Sequence, residues 1–205
     1  MDSNKSRVKR ERSAVEPRRR PGKERVAALL AAAAAVIAER GYEAATMTEI
    51  AARAGALVGS LYHFFPNKEA VGEALIRRFE GILDEAFDAI DARAGSMSSG
   101  DLADALLDLM LDIRGESKAL VPLLEAREEW SAKGRDLLDR MLRRIAATLT
   151  IRSPGLDPEA ARSLAVVVLQ NMKAVKALTA DDAPAAAEMR AMTRLYLESR
   201  LPDHG

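Results

Sequence analysis

The sequence has 205 residues, enough for one domain or for a small domain joined to a larger one, and 48% of them are hydrophobic. It has a formal net charge of zero, no cysteine and only two histidines, His63 and His204, which excludes disulfide scaffolds, thiolate zinc sites and histidine-rich metal sites. No apolar run reaches the roughly 20 residues of a membrane-spanning helix, and no apolar segment of a signal peptide follows the basic N-terminus. We therefore expect a cytoplasmic protein with no cofactor and no membrane partner.

The zero net charge hides an asymmetry along the chain. Residues 1–25 contain ten Lys or Arg against four Asp or Glu, whereas residues 26–205 contain 21 against 27. Residues 1–22 mix charge, serine and proline without apolar periodicity, so we predict a disordered basic arm there. Its Arg18, Arg19 and Arg20 are candidates for contact with a phosphate backbone. The alternative is a solubilising tail.

After the arm, apolar residues recur with helical spacing to the end of the chain, which predicts an all-α fold with no strand. About nine helices are predicted, at residues 23–40, 47–54, 58–65, 68–93, 101–115, 118–131, 133–151, 158–179 and 184–201. Glycine and proline mark the clearest breaks between them.

The second and third predicted helices form a helix-turn-helix at about residues 46–65. Thr46 and Glu49 have the spacing of a capping box at the start of the first helix, and Gly55 is placed to form the turn that ends it. In the next helix, Leu61 and Phe65 lie one turn apart and form a core face. Before this motif, Gly41 is predicted to end the first helix.

The run from Gly41 to Glu69 resembles the DNA-binding signature of the tetracycline-repressor (TetR) family. The shared positions are Gly41, Tyr42, Thr46, Met47, Ile50, Ala51, Ala54, Gly55, Gly59, Leu61, Tyr62, Phe65, Asn67, Lys68 and Glu69. With its flanking helices the resemblance covers residues 23–82, about a third of the chain. It implies an N-terminal three-helix DNA-binding domain at residues 23–82, followed by a helical ligand-binding and dimerisation domain at residues 83–205.

The resemblance also implies roles for individual residues. The phosphate contacts would be Thr46, Thr48, Tyr62 and Lys68, the contacts to base edges would be Val58, Ser60 and His63, and Gly59 would let the backbone approach the DNA closely. The alternatives are a partly buried core tyrosine at 62, a solvated histidine at 63 and a simple first-turn charge at Lys68.

One departure from the family concerns the start of the recognition helix. The family usually has Gly-Val-Ser there, and this chain has Gly55-Ala56-Leu57. The missing serine removes a helix cap and a possible phosphate ligand. We therefore expect weaker phosphate anchoring at this point and a more apolar base contact by Val58, such as one to a thymine methyl group.

A palindromic operator requires a two-fold protein, so the motif implies a homodimer. Candidates for the dimer interface recur every three to four residues in the last two helices: Leu164, Val168, Asn171, Val175, Leu178, Met189, Met192 and Tyr196. Asn171 could fix the register. The alternative is that both stripes face the core of their own protomer.

In the family, a ligand pocket lies among the middle helices. The candidate wall residues here are Phe79, Leu83, Phe87, Met110, Leu124, Arg127, Trp130 and Met141, although such residues at helical spacing are often plain core. The sequence therefore predicts a repressor that a small molecule releases from its operator. The alternatives are a DNA-binding regulator without an effector and a helical adaptor with a degenerate motif. We expect no enzyme, because His63 is the one histidine outside the chain end.

Overall fold

A computed structural model describes residues 20–126 and 128–201 of the chain. These residues form an all-α fold without strands, as the sequence predicts. The described α-helices are α1 (Arg20–Arg40), α2 (Met47–Arg53), α3 (Val58–Phe64), α4 (Lys68–Ala94), α5 (Ser99–Asp112), α6 (Leu120–Glu125), α7 (Glu128–Arg152), α8 (Pro158–Ala177) and α9 (Ala183–Arg200). Short 3₁₀ helices at Glu116–Ala119 and Ala180–Asp182 precede α6 and α9.

Two predicted boundaries need correction. The first helix begins at Arg20, so residues 20–22 belong to α1 and not to a disordered arm. Pro21 is compatible with this start, because the first turn of a helix has no intrahelical partner for the amide that proline lacks. The predicted helix at residues 118–131 is also divided, because α6 ends at Glu125 and α7 begins at Glu128 and continues through residue 132. No glycine or proline marks that break, and Gly134 lies inside α7.

The described residues form two compact units that divide between Arg77 and Arg78, within α4. Unit 1 comprises α1, α2, α3 and the first turns of α4. Its core contains the fully buried side chains of Ile37, Tyr42, Ile50 and Leu61. By the usual value of about 25 cal/mol per Å² of apolar surface, each contributes roughly 1.5–3 kcal/mol through burial.

Backbone hydrogen bonds fix the two turns of unit 1. At the end of α1, Gly41 has a φ of 80° and its N–H donates to the carbonyl of Ile37 at 2.8 Å. At the end of α2, Gly55 has a φ of 61°, and the N–H groups of Gly55 and Ala56 donate back into the last turn, to Ala52 and Ala51. This pair of bonds is the Schellman motif, which needs the left-handed conformation that glycine adopts cheaply. Both predicted glycine turns are therefore confirmed.

The capping box at the start of α2 is also confirmed. The Glu49 N–H donates to Thr46 Oγ1 at 3.2 Å, and the Thr46 N–H donates to Glu49 Oε2 at 3.2 Å. Ion pairs then join α2 to the end of α1: Arg40 pairs with Glu49, and both guanidinium nitrogens of Arg53 contact Glu39, at 2.5 and 2.8 Å. These pairs are partly exposed, so they add orientation more than stability.

Unit 2 comprises the rest of α4 and α5–α9. Aspartate–arginine pairs connect its helices at two places. Between α4 and α7, Arg140 pairs with Asp84, and Arg144 contacts Asp88 at 2.6 Å and Asp91 at 2.9 Å. Between α5 and α9, Arg190 contacts Asp104 at 3.0 Å and Asp108 at 2.5 Å. Charge-assisted hydrogen bonds of this kind set the register of one helix against another.

None of the described helices is long and apolar enough to cross a membrane.

The capping box gives a test of local stability. Replacing Thr46 by alanine leaves the Glu49 amide without its cap and should lower the free energy of unfolding by about 1 kcal/mol. Urea unfolding followed by circular dichroism measures the change. Thr48→Ala is the matched control, because Thr48 is exposed and its hydroxyl has no hydrogen-bond partner among the described residues. Equal stability of the two variants would contradict a stabilising role for the box.

Candidate nucleic-acid interface and ligand cavity

Helix α3 is held in place by its inner face. Leu61 is fully buried, Phe64 is buried, and Phe65, which ends the helix, is 2% exposed. The core face predicted from Leu61 and Phe65 is thus confirmed. At the other end, Leu57 occupies the N-cap position without a side-chain hydrogen bond and is 83% exposed. The expected loss of a cap is confirmed, so the start of α3 leaves backbone N–H groups to solvent or to an external acceptor.

The opposite face of α3 carries the residues predicted to contact DNA. Gly59, Tyr62 and His63 are exposed, and Val58 and Ser60 are half-buried. Within the described residues, the polar groups of Ser60, Tyr62 and His63 have no hydrogen-bond partner, although the His63 ring contacts the Phe64 ring edge-on at 5.0 Å. This face therefore presents a phenol, a hydroxyl and an imidazole that are free to bind another molecule.

The two threonines of α2 differ in their surroundings. Both are exposed, but the Thr46 hydroxyl is engaged in the capping box, and it also donates to Glu49 Oε2 at 2.9 Å. This hydrogen bond, together with the charge of Arg40, holds the pKa of the Glu49 carboxyl below its usual value. A phosphate contact by the Thr46 hydroxyl therefore competes with an internal acceptor, whereas Thr48 is unrestrained.

Lys68 has internal partners that the sequence did not indicate. Its ammonium group donates to the carbonyl oxygens of Tyr42 at 2.8 Å and Glu43 at 2.9 Å. It also lies 4.6 Å from the centre of the Tyr42 ring. Asn67 caps α4 beside it by accepting the Ala70 N–H at 2.8 Å. The ammonium group thus connects the loop after α1 to the start of α4, and phosphate contact by Lys68 remains a prediction.

Of the three arginines predicted to contact phosphates, the structure describes one, at the start of α1. Arg20 is exposed and pairs with Glu24 one turn later, at 3.1 Å. Arg18 and Arg19 lie outside the described residues.

The burial of α8 and α9 in unit 2 corrects the predicted dimer interface. Leu164, Val168 and Val175 are at most 4% exposed, because this stripe of α8 packs into the protomer's own core. Asn171 donates to Thr193 Oγ1 at 3.1 Å, within the same protomer. Leu164, Val168 and Val175 therefore follow the alternative of an internal stripe, whereas half-buried Asn171 has a partner in its own protomer.

Other residues of α8 and α9 remain accessible. Of the predicted interface residues, Met192 is 52% exposed, and Leu178, Met189 and Tyr196 are half-buried. Three exposed apolar residues were not among the predicted interface residues: Val166 and Val167 on α8, and Leu195 on α9, which is 67% exposed. In the sequence they lie between positions of the buried stripes, and an apolar residue outside the buried stripe of a helix is the pattern from which their exposure could have been predicted.

Unit 2 contains a cavity of about 380 Å³. Its lining residues are Phe79, Met110, Ser117, Leu120, Val121, Leu124, Gly134, Leu137, Leu138, Met141, Leu169, Lys173 and Lys176. Four predicted wall residues are among them: Phe79, Met110, Leu124 and Met141. Leu83, Phe87 and Trp130 are instead buried core residues that do not line it, and Arg127 lies outside the described residues.

The two lysines of this cavity were not foreseen. Leu169, Lys173 and Lys176 follow one another at spacings of four and three residues, so they share one face of α8. Two lysines that continue an apolar stripe at helical spacing could have been recognised in the sequence as candidate lining residues. Burial, and to a smaller extent the charge of Arg114, lower the pKa of the Lys176 ammonium group.

Comparison with known proteins agrees with this geometry. A family model described as bacterial regulatory proteins, tetR family, matches residues 29–75. The chain is 45% identical over 73 residues to HTH-type transcriptional repressor KstR2 of Mycobacterium tuberculosis (strain ATCC 25618 / H37Rv), covering 34% of this chain and 35% of that protein. The chain thus spans about a third of the length of this relative.

Solved structures extend the likeness in fold to most of the chain. A transcriptional regulator from Aquifex aeolicus VF5 has a TM-score of 0.65 at 17% identity, over 85% of this chain and 98% of that chain. The regulator FadR from Bacillus subtilis, solved in complex with stearoyl-CoA, has a TM-score of 0.58 at 19% identity, over 87% and 99% of the two chains. Residues 29–75 therefore carry the domain that this tetR-family model describes, and the solved structures show that the chain shares the fold of these regulators.

Proposed function

We propose that this protein is a transcriptional repressor that binds a palindromic DNA operator as a homodimer and leaves it when a small molecule binds. The outer face of α3 is the observation that carries the proposal. Its phenol, hydroxyl and imidazole lack partners among the described residues, and its inner face is anchored in the core. The similarity of this segment to a protein named as a transcriptional repressor supports the same reading. Such a protein acts in the cytoplasm, where a bacterial chromosome lies.

The proposed DNA contacts divide into two groups. Ser60 and His63 lie on the face of α3 that would enter the major groove, and they would read base edges together with Val58. Tyr62, Thr48 and the backbone at Gly59 would contact phosphates, which position the protein without carrying sequence information. Lys68 would act mainly by holding the loop before α2, because its ammonium group is already bound there.

The proposed dimer interface uses the exposed apolar residues of the last two helices. Val166 and Val167 on α8, and Met192 and Leu195 on α9, are each more than a third exposed. Exposed apolar side chains that recur on neighbouring helices are typical of a surface covered by a second subunit. This assignment replaces Leu164, Val168 and Val175, which the protomer already buries.

The cavity of unit 2 is the proposed effector site. A volume of about 380 Å³ lies within the range of small-molecule pockets, and its wall is predominantly apolar with a few polar groups. This observation favours a ligand-responsive repressor over a regulator with a filled core. We propose no enzymatic activity: the relatives are named as regulators, and the described residues contain no group of three His, Cys, Asp or Glu that could hold a metal ion.

Selection of bound sequences from a random DNA library tests the function. The wild-type protein should enrich an inverted repeat whose half-sites lie about 34–36 Å apart or a multiple of that distance. Ser60→Ala and His63→Ala should change the preferred bases, while Ser163→Ala, at an exposed position of α8, serves as the control with an unchanged preference. A library that shows no enrichment would overturn the proposal, and unchanged preferences in both α3 variants would remove the base-reading assignment.

Tyr62 gives a separate test of the phosphate contacts. Tyr62→Phe removes one phenol donor and should weaken binding to operator and random DNA alike, by roughly tenfold for a hydrogen bond to a charged acceptor. The salt dependence should stay the same, because a neutral phenol displaces no counterion. Titrations at several salt concentrations measure both quantities. Thr150→Val, which removes an exposed hydroxyl at the end of α7, is the control, and an equal loss in that variant would exclude the assigned contact.

Leu195 tests the dimer interface. Leu195→Glu places a charge on the proposed contact surface, so the protein should sediment as a monomer at micromolar concentration and lose most of its operator affinity. Ile151→Glu is the control, because Ile151 is a 41% exposed apolar residue at the end of α7. If Leu195→Glu remains dimeric while folded, the interface lies elsewhere.

A further inference from the structure

The wall of the cavity in unit 2 divides into an apolar part and a cationic part. Its apolar part comes from α4–α8 and includes the buried side chains of Phe79, Leu120, Leu137 and Met141. The cationic part consists of Lys173 and Lys176 on α8. The described lining residues include no aspartate or glutamate, so the charge that they contribute has one sign.

The two lysines are close together and lack acidic partners. Residues three apart on a helix are neighbours, with Cβ atoms about 5–6 Å apart. Within the described residues, neither ammonium group forms an ion pair. A third cation lies next to them, because the Arg114 guanidinium donates to the carbonyl oxygens of Lys176 and of Leu178, the latter at 2.6 Å. Positive charge is therefore concentrated at this end of α8.

The ammonium group of Lys176 is partly desolvated in the empty protein. Lys176 is half-buried, and its lowered pKa reflects the cost of burial and the repulsion from Arg114. Three other half-buried cations of unit 2 have acidic partners, since Arg140, Arg144 and Arg190 each contact an aspartate. An acidic group that arrives with a ligand would supply the missing partner.

We propose that the cavity binds an amphipathic carboxylate, whose acidic group is held by Lys173 and Lys176 while its apolar body fills the space between α4 and α8. This inference rests on the proposed function, because it names the chemical class of the effector. At about 30 Å³ for each water-sized group, the cavity accommodates an apolar body of about a dozen non-hydrogen atoms. A neutral ligand would leave both lysines without a partner, and a cationic one would add to the repulsion.

Decanoate is a probe of suitable size and charge. Isothermal titration of the full-length protein, without DNA and below the concentration at which the probe forms micelles, measures its binding. Decanoate should bind once per chain. Decan-1-ol, which has the same chain and no charge, should bind at least roughly tenfold more weakly, as expected for the loss of a charge-assisted hydrogen bond. Decyltrimethylammonium should not bind.

Two variants test the roles of the lysines. Lys176→Met and Lys173→Met keep an unbranched side chain that is one atom shorter and remove its charge. Decanoate affinity should fall by roughly tenfold for half-buried Lys176 and by a smaller factor for exposed Lys173, whose charge water screens. The affinity for decan-1-ol should change little in either. Lys118→Met is the matched control, because Lys118 is an exposed lysine of the same unit that does not line the cavity.

The proposal is overturned if decanoate does not bind, if decan-1-ol binds as tightly, or if the Lys176 and Lys118 variants behave alike. Because these titrations contain no DNA, they are independent of the library selection. A protein that binds decanoate through both lysines and selects no operator would refute the regulatory function alone. A protein that selects an operator and ignores decanoate would refute the ligand class alone.

Discussion

The ammonium group of Lys68 is the interaction on which the geometry of unit 1 depends. It joins two parts of the chain. Lys68 is the first residue of α4, and its ammonium group contacts the loop after α1 through the carbonyls of Tyr42 and Glu43 and the Tyr42 ring. Because Tyr42 is itself buried, a displacement of the loop after α1 would disturb the core and the bond to Lys68 together. The loop leads directly into the capping box of α2, so Lys68 holds the segment from which the helix-turn-helix begins.

The helix-turn-helix was predictable because its determinants are local. A capping box needs two residues at a fixed spacing, and a Schellman turn needs one glycine in the left-handed conformation. Thr46, Glu49 and Gly55 supply these within ten residues, and the structure places them as the sequence indicates. The missing side-chain cap at Leu57 follows from the same local reasoning, since a leucine cannot accept a capping hydrogen bond.

Features that depend on packing between distant residues could not be predicted in the same way. The stripe of Leu164, Val168 and Val175 has the same periodicity whether a second subunit or the protomer's own core covers it. The cavity depends on which core positions remain unfilled, so Leu83, Phe87 and Trp130 were indistinguishable from Phe79 and Met141. The partners of Lys68 are two backbone carbonyls 25 and 26 residues away, and backbone groups leave no trace in residue type.

The division of α3 into an anchored face and an open face has a consequence for how this protein can diverge. Its seven residues have no capping side chain, so the helix is stabilised by Leu61, Phe64 and Phe65, which are buried. Ser60 and His63 contribute little to that burial and have no hydrogen bonds among the described residues. Duplicated genes could therefore acquire changes at these positions one at a time, and drift towards new binding sites, without passing through an unfolded intermediate.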